Sequence, residues 1–321
     1  MNDSSEALHA PTTPTGALRR VWQAGAPLPR FEDMGALQPL LSVAPEPSAG
    51  CLWDDIRHDA AAAAKGEPLL AAFLHDQIMQ HDSLEAAVSH VVAAKLENGQ
   101  LHVDMLRTLM HEAMRHDVRI VRSVREDILA VCDRDPACSG AADPLLYYKG
   151  LHALIAYRTA HWLWTGGRRK LARCLQSRIA ERFGVDIHPA ARIGYGILLD
   201  HAHGFVMGET AVIEDNVSIL HNVTLGGTGK ETGDRHPKVR SGVLIGAGAL
   251  ILGNIEIGCG AKVGAGSVVM RSVPAHTTVA GYLAQVVGVP ATREPSLEMS
   301  HHIGVEHRQP PAMLAAGGNL R

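Results

Sequence analysis

The chain has few aromatic residues, few cysteines, no excess of basic charge and no long apolar run. Phe, Trp and Tyr make up 4% of its 321 residues, too few for a core built on large rings. The five cysteines, Cys51, Cys132, Cys138, Cys174 and Cys259, are odd in number and scattered, and no Cys-x-x-Cys pair occurs. That excludes a disulfide scaffold and a cysteine zinc site; free thiols in a reducing compartment are expected. Lys and Arg number 30 against 33 Asp and Glu, a net charge of −3. Such a balance leaves no electrostatic footprint for nucleic acid or an anionic membrane. Met1-Asn2-Asp3-Ser4-Ser5 carries neither a positive start nor an apolar stretch, so no secretion signal is expected. The most apolar run, residues 243–257, is interrupted by glycine and falls short of a membrane span. A cytoplasmic protein is expected.

What the chain does have is glycine, 32 residues of it, and a period of six. Ile187, Ile193, Leu199, Phe205, Ala211, Val217 and Val223 form one apolar series; Ile245, Ile251, Ile257, Val263 and Val269 form a second. Six fits neither the helical period nor the alternation of a flat strand. Glycine follows the apolar residue at Gly194, Gly246, Gly258 and Gly264. Short strands joined by tight turns into a solenoid give this pattern. Three hexads make one triangular coil with the apolar residue pointing into the prism. The predicted fold class is therefore α+β: an N-terminal α-helical domain followed by a C-terminal left-handed parallel β-helix, the hexapeptide-repeat solenoid.

The two series are out of phase: the step from Val223 to Ile245 is one coil and a short remainder. A loop is predicted to bulge there, at Gly226-Gly227-Thr228-Gly229-Lys230-Glu231-Thr232-Gly233-Asp234-Arg235-His236-Pro237. Solenoids throw such insertions out on a face, often the binding face. Its Gly-Gly-Thr-Gly-Lys lacks the Walker spacing, and no helical pattern follows, which excludes an NTPase.

Four segments are predicted. Residues 1–50 are proline-rich without a period and are expected to be disordered, with a short helix possible near 18–24. Residues 51–184 are helical, 185–291 form the β-helix, and 292–321 form a flexible polar tail. Within the helical part, Asp82-Ser83-Leu84-Glu85 reads as a capping box before Leu84, Ala87, Val88, Val91, Val92 and Leu96. Further apolar stripes run over Met105–Ala113 and Val118–Val131. Asp143-Pro144 reads as N-cap and first turn of a helix running toward Trp164 and ended by Gly166-Gly167. Arg169 to Phe183 is one more helix, stopped by Gly184.

Asp186 and His201 stand a little less than one three-hexad coil apart, which brings them near one corner on adjacent rungs. A carboxylate beside an imidazole fixes its tautomer and raises its basicity, as a general base for a hydroxyl requires. By spacing alone, two solvated corner residues remain an open reading. The 19 histidines raise the question of a metal. His203 and His221, one coil apart, are expected to stack near His201, yet no third ligand has a supporting spacing. No metal is expected.

Further stretches are more specific than the hexads. They are Asp133-Arg134-Asp135-Pro136, Pro144-Leu145-Leu146-Tyr147-Tyr148-Lys149-Gly150, Ala156-Tyr157-Arg158, His161-Trp162-Leu163-Trp164, Val185-Asp186-Ile187-His188-Pro189, Leu199-Asp200-His201-Ala202, Gly208-Glu209-Thr210-Ala211-Val212-Ile213, Val223 to Lys230 and Asp234-Arg235-His236-Pro237. On these motifs, from about Leu52 to Val305, the chain resembles the serine acetyltransferases of the hexapeptide-repeat acyltransferase superfamily.

That resemblance implies transfer of acetyl from acetyl-CoA to the hydroxyl of L-serine, giving O-acetyl-L-serine for cysteine synthesis. It makes His201 the general base and Asp186 its orienting carboxylate. It makes Asp135 and Asp200 contacts for the serine ammonium, and Arg235 and His236 contacts for its carboxylate. Opposite charges at the two ends suit a zwitterion. Without the resemblance, Asp135 reads as a loop cap and Arg235 as a solvated loop charge. Gly227, Thr228, Ala247, Lys262 and Ala265 match CoA positions. Acetyl-CoA is a co-substrate, and no permanently bound cofactor is implied. L-cysteine is implied as a feedback inhibitor, and a homo-oligomer, a trimer or a dimer of trimers, as the assembly. Family members often end in Ile, which enters the active site of O-acetylserine sulfhydrylase; this chain ends in Leu320-Arg321, which counts against that partner. The alternatives are an acyltransferase for a sugar or amino sugar, and a non-catalytic structural or regulatory solenoid.

Overall fold

A computed structural model of the chain describes residues 50–229 and 232–299. The expected disorder before Gly50, the short helix near 18–24 and the tail beyond residue 299 lie outside the described residues.

The apolar hexads form a left-handed parallel β-helix of three sheets. The first holds β1 (Val185–Ile187), β4 (Phe205–Met207), β7 (Thr224–Gly226), β10 (Leu250–Leu252) and β13 (Val268–Val269). The second holds β2 (Arg192–Ile193), β5 (Val212–Ile213), β8 (Lys238–Val239) and β11 (Glu256–Ile257). The third holds β3 (Leu198–Leu199), β6 (Ser218–Ile219), β9 (Leu244–Ile245), β12 (Lys262–Val263) and β14 (Thr278–Ala280). β15 (Gln285–Gly288) turns back antiparallel onto β14 and closes the last rung.

The three-hexad rung holds where Ile245 pairs with Val263 and Ile251 with Val269. It fails in the first rung. There Ile187 pairs with Met207, Ile193 with Ile213 and Leu199 with Ile219, so the rung is longer than three hexads by two. The extra residues sit between Leu199 and Met207. Phe205 is therefore not the hexad equivalent of Ile187; it stands two places earlier. The slip leaves the sequence period intact because alternate residues of a strand share a face, and Phe205 and Met207 are both buried. The extra residues bulge at His201 and Ala202, whose φ angles of 53° and 58° lie in the left-handed region. The predicted insertion is present as a still longer rung, with Ile219 beside Ile245 and Leu225 beside Ile251.

Helices precede the solenoid: α1 (Gly50–Gly66), α2 (Ala71–Leu74, continuing into a π-turn over His75–Met79), α3 (Leu84–Leu96), α4 (Val103–His116), α5 (Val118–Arg134), α6 (Asp143–Tyr147) and α7 (Lys149–Thr165). The next, α8 (Arg169–Phe183), ends at Gly184, whose φ of 68° a side chain would strain. Ser83 caps α3 by accepting from the Ala86 N–H at 3.2 Å. The third helical position is thus Ala86 and not the acidic residue a capping box needs. The single helix expected from Asp143 to Trp164 is two, broken at Tyr148 with ψ 99°. Asp143 lies inside α6 and accepts instead from the N–H and hydroxyl of Ser139.

The break lets α7 lie against the solenoid. Its residues grip the first corners of the prism. Arg158 donates to Asp127 of α5 at 2.6 Å and to the Gly194 carbonyl at 2.8 Å. The other Asp127 oxygen accepts from the Ile197 N–H at 2.8 Å. Tyr157 donates to the Ala191 carbonyl, and His161 to that of Pro189 at 2.7 Å. At Gly150 a Cβ would stand 1.9 Å from the Leu199 carbonyl oxygen, so only glycine lets α7 approach β3 this closely. Arg134, at the end of α5, donates to the Gly196 carbonyl at 3.0 Å and to Ser218 Oγ at 3.1 Å. Ser218 in turn donates to the Ser296 carbonyl, which docks a short turn, α9 (Pro295–Glu298), against the prism. The predicted flexible tail thus begins with an anchored turn.

His152 of α7 is 1% exposed and donates to the Leu145 carbonyl at 2.6 Å. Burial pushes its pKa down to about 3. An unfolded histidine titrates near ~6.5, so below that pH the unfolded chain takes up a proton that the fold refuses. This contribution to stability is complete above pH ~6.5 and is lost as the pH falls toward 3. Denaturant unfolding is expected to show a loss of a few kcal/mol over that window, and His152→Gln, which keeps a donor for Leu145, should show a smaller loss.

Candidate active site

The bulge after β3 opens a cavity of about 470 Å³ between the solenoid corner and the helical part. Asp135, Tyr148, Lys149, Asp200, His201 and His221 are among its lining residues. The extra residues of the first rung hold His201 out from the prism, with its side chain 74% exposed. Its Nε2 is 3.8 Å from Asp200 Oδ1. Its ring meets that of His221 edge-on at 5.8 Å. His221 thus stacks on His201 and not, as expected, on His203; the His203 ring lies against Gly184. Asp135 ends α5, and its Oδ1 accepts from the Ala137 N–H at 2.8 Å. Tyr148 faces it across the break between α6 and α7. Burial and the Asp135 carboxylate raise the phenol pKa, keeping Tyr148 a neutral donor.

Asp186 lies in the middle of β1 and pairs with Val206, five residues after His201, because this rung exceeds three hexads. Its Oδ1 accepts from Gln176 of α8 at 2.7 Å. The coil spacing that suggested a direct pair assumed three hexads and no more.

Arg235 and His236 lie at the far end of the same sheet, where the inserted loop returns. Both backbone N–H groups donate to Thr210 Oγ1, at 3.1 and 3.2 Å. The Thr210 N–H donates to His236 Nδ1 at 3.2 Å, so the neutral ring carries its proton on Nε2 and can donate it. Burial and the nearby Arg235 charge lower the His236 pKa. At Gly208 a Cβ would fall 2.0 Å from His236 Nε2, so glycine makes room for this ring. Arg235 Nη2 donates to Glu209 at 2.9 Å, a bond that holds the Glu209 carboxyl below its usual range.

The CoA candidates divide in the same way. Ala247 and Ala265 stack on adjacent rungs of the corner above His201, joined by the Gly266 N–H to the Ala247 carbonyl at 2.8 Å. Gly227 and Thr228 follow β7 at the opposite corner, with Gly227 near Arg235. Lys262 lies on β12, where burial lowers its pKa. One prism edge therefore carries Asp200, His201, Ala247 and Ala265, with Asp135 of the helical part on the same cavity; the other carries Gly227, Thr228, Arg235 and His236. The first sheet separates them by about five extended residues, roughly 15 Å.

Several neighbours were not among the candidate site residues: Gln176, and Tyr148 and Glu209, which stood only in the stretches that carry the resemblance. Each is defined by a contact made across the fold, and none has a spacing that marks it. Among the described residues no group of His, Cys, Asp and Glu has the arrangement of a metal site, and no helix is long and apolar enough to cross a membrane.

Residues 52–156 match the family model for the serine acetyltransferase N-terminal region. The serine acetyltransferase of Salmonella typhimurium is 54% identical over 257 residues, covering 80% of this chain and 94% of that protein. The chain belongs to the serine acetyltransferase family. It is an acyltransferase family with solved members of the same architecture. The Brucella abortus serine acetyltransferase in complex with coenzyme A is 53% identical, with a TM-score of 0.73 over 74% of this chain and 96% of that one. The soybean enzyme complexed with serine is 53% identical, with a TM-score of 0.73 over 76% and 100% of the two chains. A serine acetyltransferase complex with cysteine is 49% identical, with a TM-score of 0.78 over 79% and 99%.

Proposed function

We propose that the chain is a serine O-acetyltransferase. It moves acetyl from acetyl-CoA to the hydroxyl of L-serine and releases CoA and O-acetyl-L-serine, the first step of cysteine synthesis, in the cytoplasm. The observation that carries this reading is the cavity with His201 exposed over two carboxylates, Asp135 and Asp200. His201 Nε2 takes the hydroxyl proton as the serine oxygen attacks the thioester carbonyl. The tetrahedral intermediate then expels the CoA sulfur, which recovers the proton from the imidazolium. Asp135 and Asp200 take the ammonium; Arg235 and the Nε2–H of His236 take the carboxylate. Asp186 orients His201 after leaving Gln176. The thioester is already activated, so this sequence needs no covalent enzyme intermediate.

The two half-sites stand at opposite edges of one sheet, too far apart to hold the two ends of one amino acid. A heterologous ring of copies brings the His201 edge of one chain against the Arg235 edge of the next. Serine and acetyl-CoA then bind between copies, in a trimer or a dimer of trimers. Exposed Val206 and Leu250 on the intervening sheet supply apolar contact for that interface.

Thiol release from acetyl-CoA is expected with L-serine and not with amino sugars or homoserine. Turnover with a sugar acceptor and none with L-serine would replace this reading with the other acyltransferase. L-cysteine shares the ammonium and carboxylate of serine, and its thiol takes the place of the hydroxyl. It is expected to raise the apparent serine KM, and Arg235→Ala should weaken both ligands together. Serine weakened with cysteine inhibition intact would place cysteine at a separate site.

A further inference from the structure

The fold brings together two cysteines that the sequence presents as scattered. Cys132 lies in the last turn of α5 and Cys138 in the loop that follows, and their Sγ atoms are 3.8 Å apart. Both are partly exposed free thiols, and Pro136, Ala137 and Ser139 around them are exposed, so a small oxidant has access. A disulfide needs about 2.05 Å between sulfurs, an approach that side-chain rotation and a small loop shift provide. The loop they would tie is the one that presents Asp135 to the cavity. Its turn is held by the Cys138 N–H to the Asp135 carbonyl at 3.0 Å and by the Ala137 N–H to Asp135 Oδ1. Its far end is anchored by Ser139 to Asp143 and by Ala142 to Asp59 of α1. Between these anchors, Cys138 Sγ now contacts the Gly140 carbonyl at 3.3 Å.

We propose that Cys132 and Cys138 form a peroxide-oxidisable thiol pair whose disulfide draws the 135–140 loop toward α5 and withdraws Asp135 from the cavity. The Cys138 thiolate attacks one oxygen of hydrogen peroxide, breaking the O–O bond and giving a sulfenic acid and hydroxide. The Cys132 sulfur then attacks the sulfenic sulfur, forming the S–S bond and expelling water. In total, two thiols and one peroxide give one disulfide and two waters, with both electrons supplied by sulfur. The contact between the two sulfurs favours this order: it holds the Cys138 thiol below its usual range and raises that of Cys132. Cys138 must leave Gly140 to reach Cys132, and the Asp135 turn moves with it. The effect on serine rests on the proposed acetyltransferase reading; the disulfide itself does not.

The test treats the full-length oligomer with stoichiometric hydrogen peroxide, alkylates remaining thiols and maps peptides by mass. The expected product is a peptide linking Cys132 to Cys138, lighter by two hydrogens and restored by dithiothreitol. The serine KM should rise at least severalfold, with the acetyl-CoA KM unchanged. Cys138→Ser, and separately Cys132→Ala, should keep the reduced-state serine KM and lose the peroxide response. Oxidation only to sulfinic acid, or links only through the exposed Cys174 and Cys259, would overturn the pair. A Cys132–Cys138 link that leaves the serine KM unchanged would overturn its effect on Asp135. Reduced protein inactive on serine would overturn the acetyltransferase reading, while the peptide map would still decide the disulfide.

Discussion

Replacing His201 with alanine is expected to lower kcat with L-serine by about 10²–10⁴-fold and leave the serine KM nearly unchanged. A serine hydroxyl is a weak nucleophile at neutral pH, and the base acts chiefly in the transition state. In this fold the imidazole owes its position to the lengthened rung and to a pair of left-handed φ angles, not to burial. Its exposure leaves it accessible to substrate. Asp186→Asn should cost less, because the imidazole remains and Asp200 is already near it. Steady-state kinetics at saturating acetyl-CoA measure both. Near-normal kcat in His201→Ala would remove the general-base mechanism.

The second large effect lies away from the chemistry. Asp127→Ala is expected to destabilise the protein by about 3–5 kcal/mol. Asp127 is fully buried and Arg158 only 6% exposed. Removing the carboxylate strands the Arg158 charge among the Ile193 and Gly194 carbonyls and leaves the Ile197 N–H without its acceptor. The loss of a partner for a buried charge is what makes such pairs costly to break. Asp127→Leu combined with Arg158→Met removes both charges and should recover part of the loss. Because Ile197 leads directly into β3, the single variant should also disturb Asp200 and His201. Denaturant unfolding of the two variants against the unsubstituted chain is the measurement.

The solenoid was legible because every rung repeats one demand, an apolar side chain facing inward at each hexad. The same regularity hid the slip at Phe205, since Phe205 and Met207 are both apolar and both buried. Alternation on a strand makes the two readings equivalent until pairing is seen. Helix ends were readable where glycine or serine acts locally, as at Gly184 and Ser83. The break at Tyr148 was not: it serves the approach of α7 to β3, a long-range need that Gly150 meets. Tyr157, Arg158 and His161 carried the family resemblance, yet the structure uses them to clamp the first solenoid corners. The candidate polar residues were legible as residue types. Their division between two prism edges was not, because that depends on which corner each rung turns at.

Mixing subunits tests the central claim most directly. His201→Ala and Arg235→Ala chains, each poorly active alone, are co-expressed with different tags, and the doubly tagged oligomer is assayed for thiol release with L-serine. If each site takes His201 from one copy and Arg235 from the next, random assembly restores about a quarter of the sites to full composition. The expected result is activity well above either variant alone, with the serine KM of the unsubstituted enzyme. A mixed oligomer no more active than its parents would contradict a serine site shared between copies.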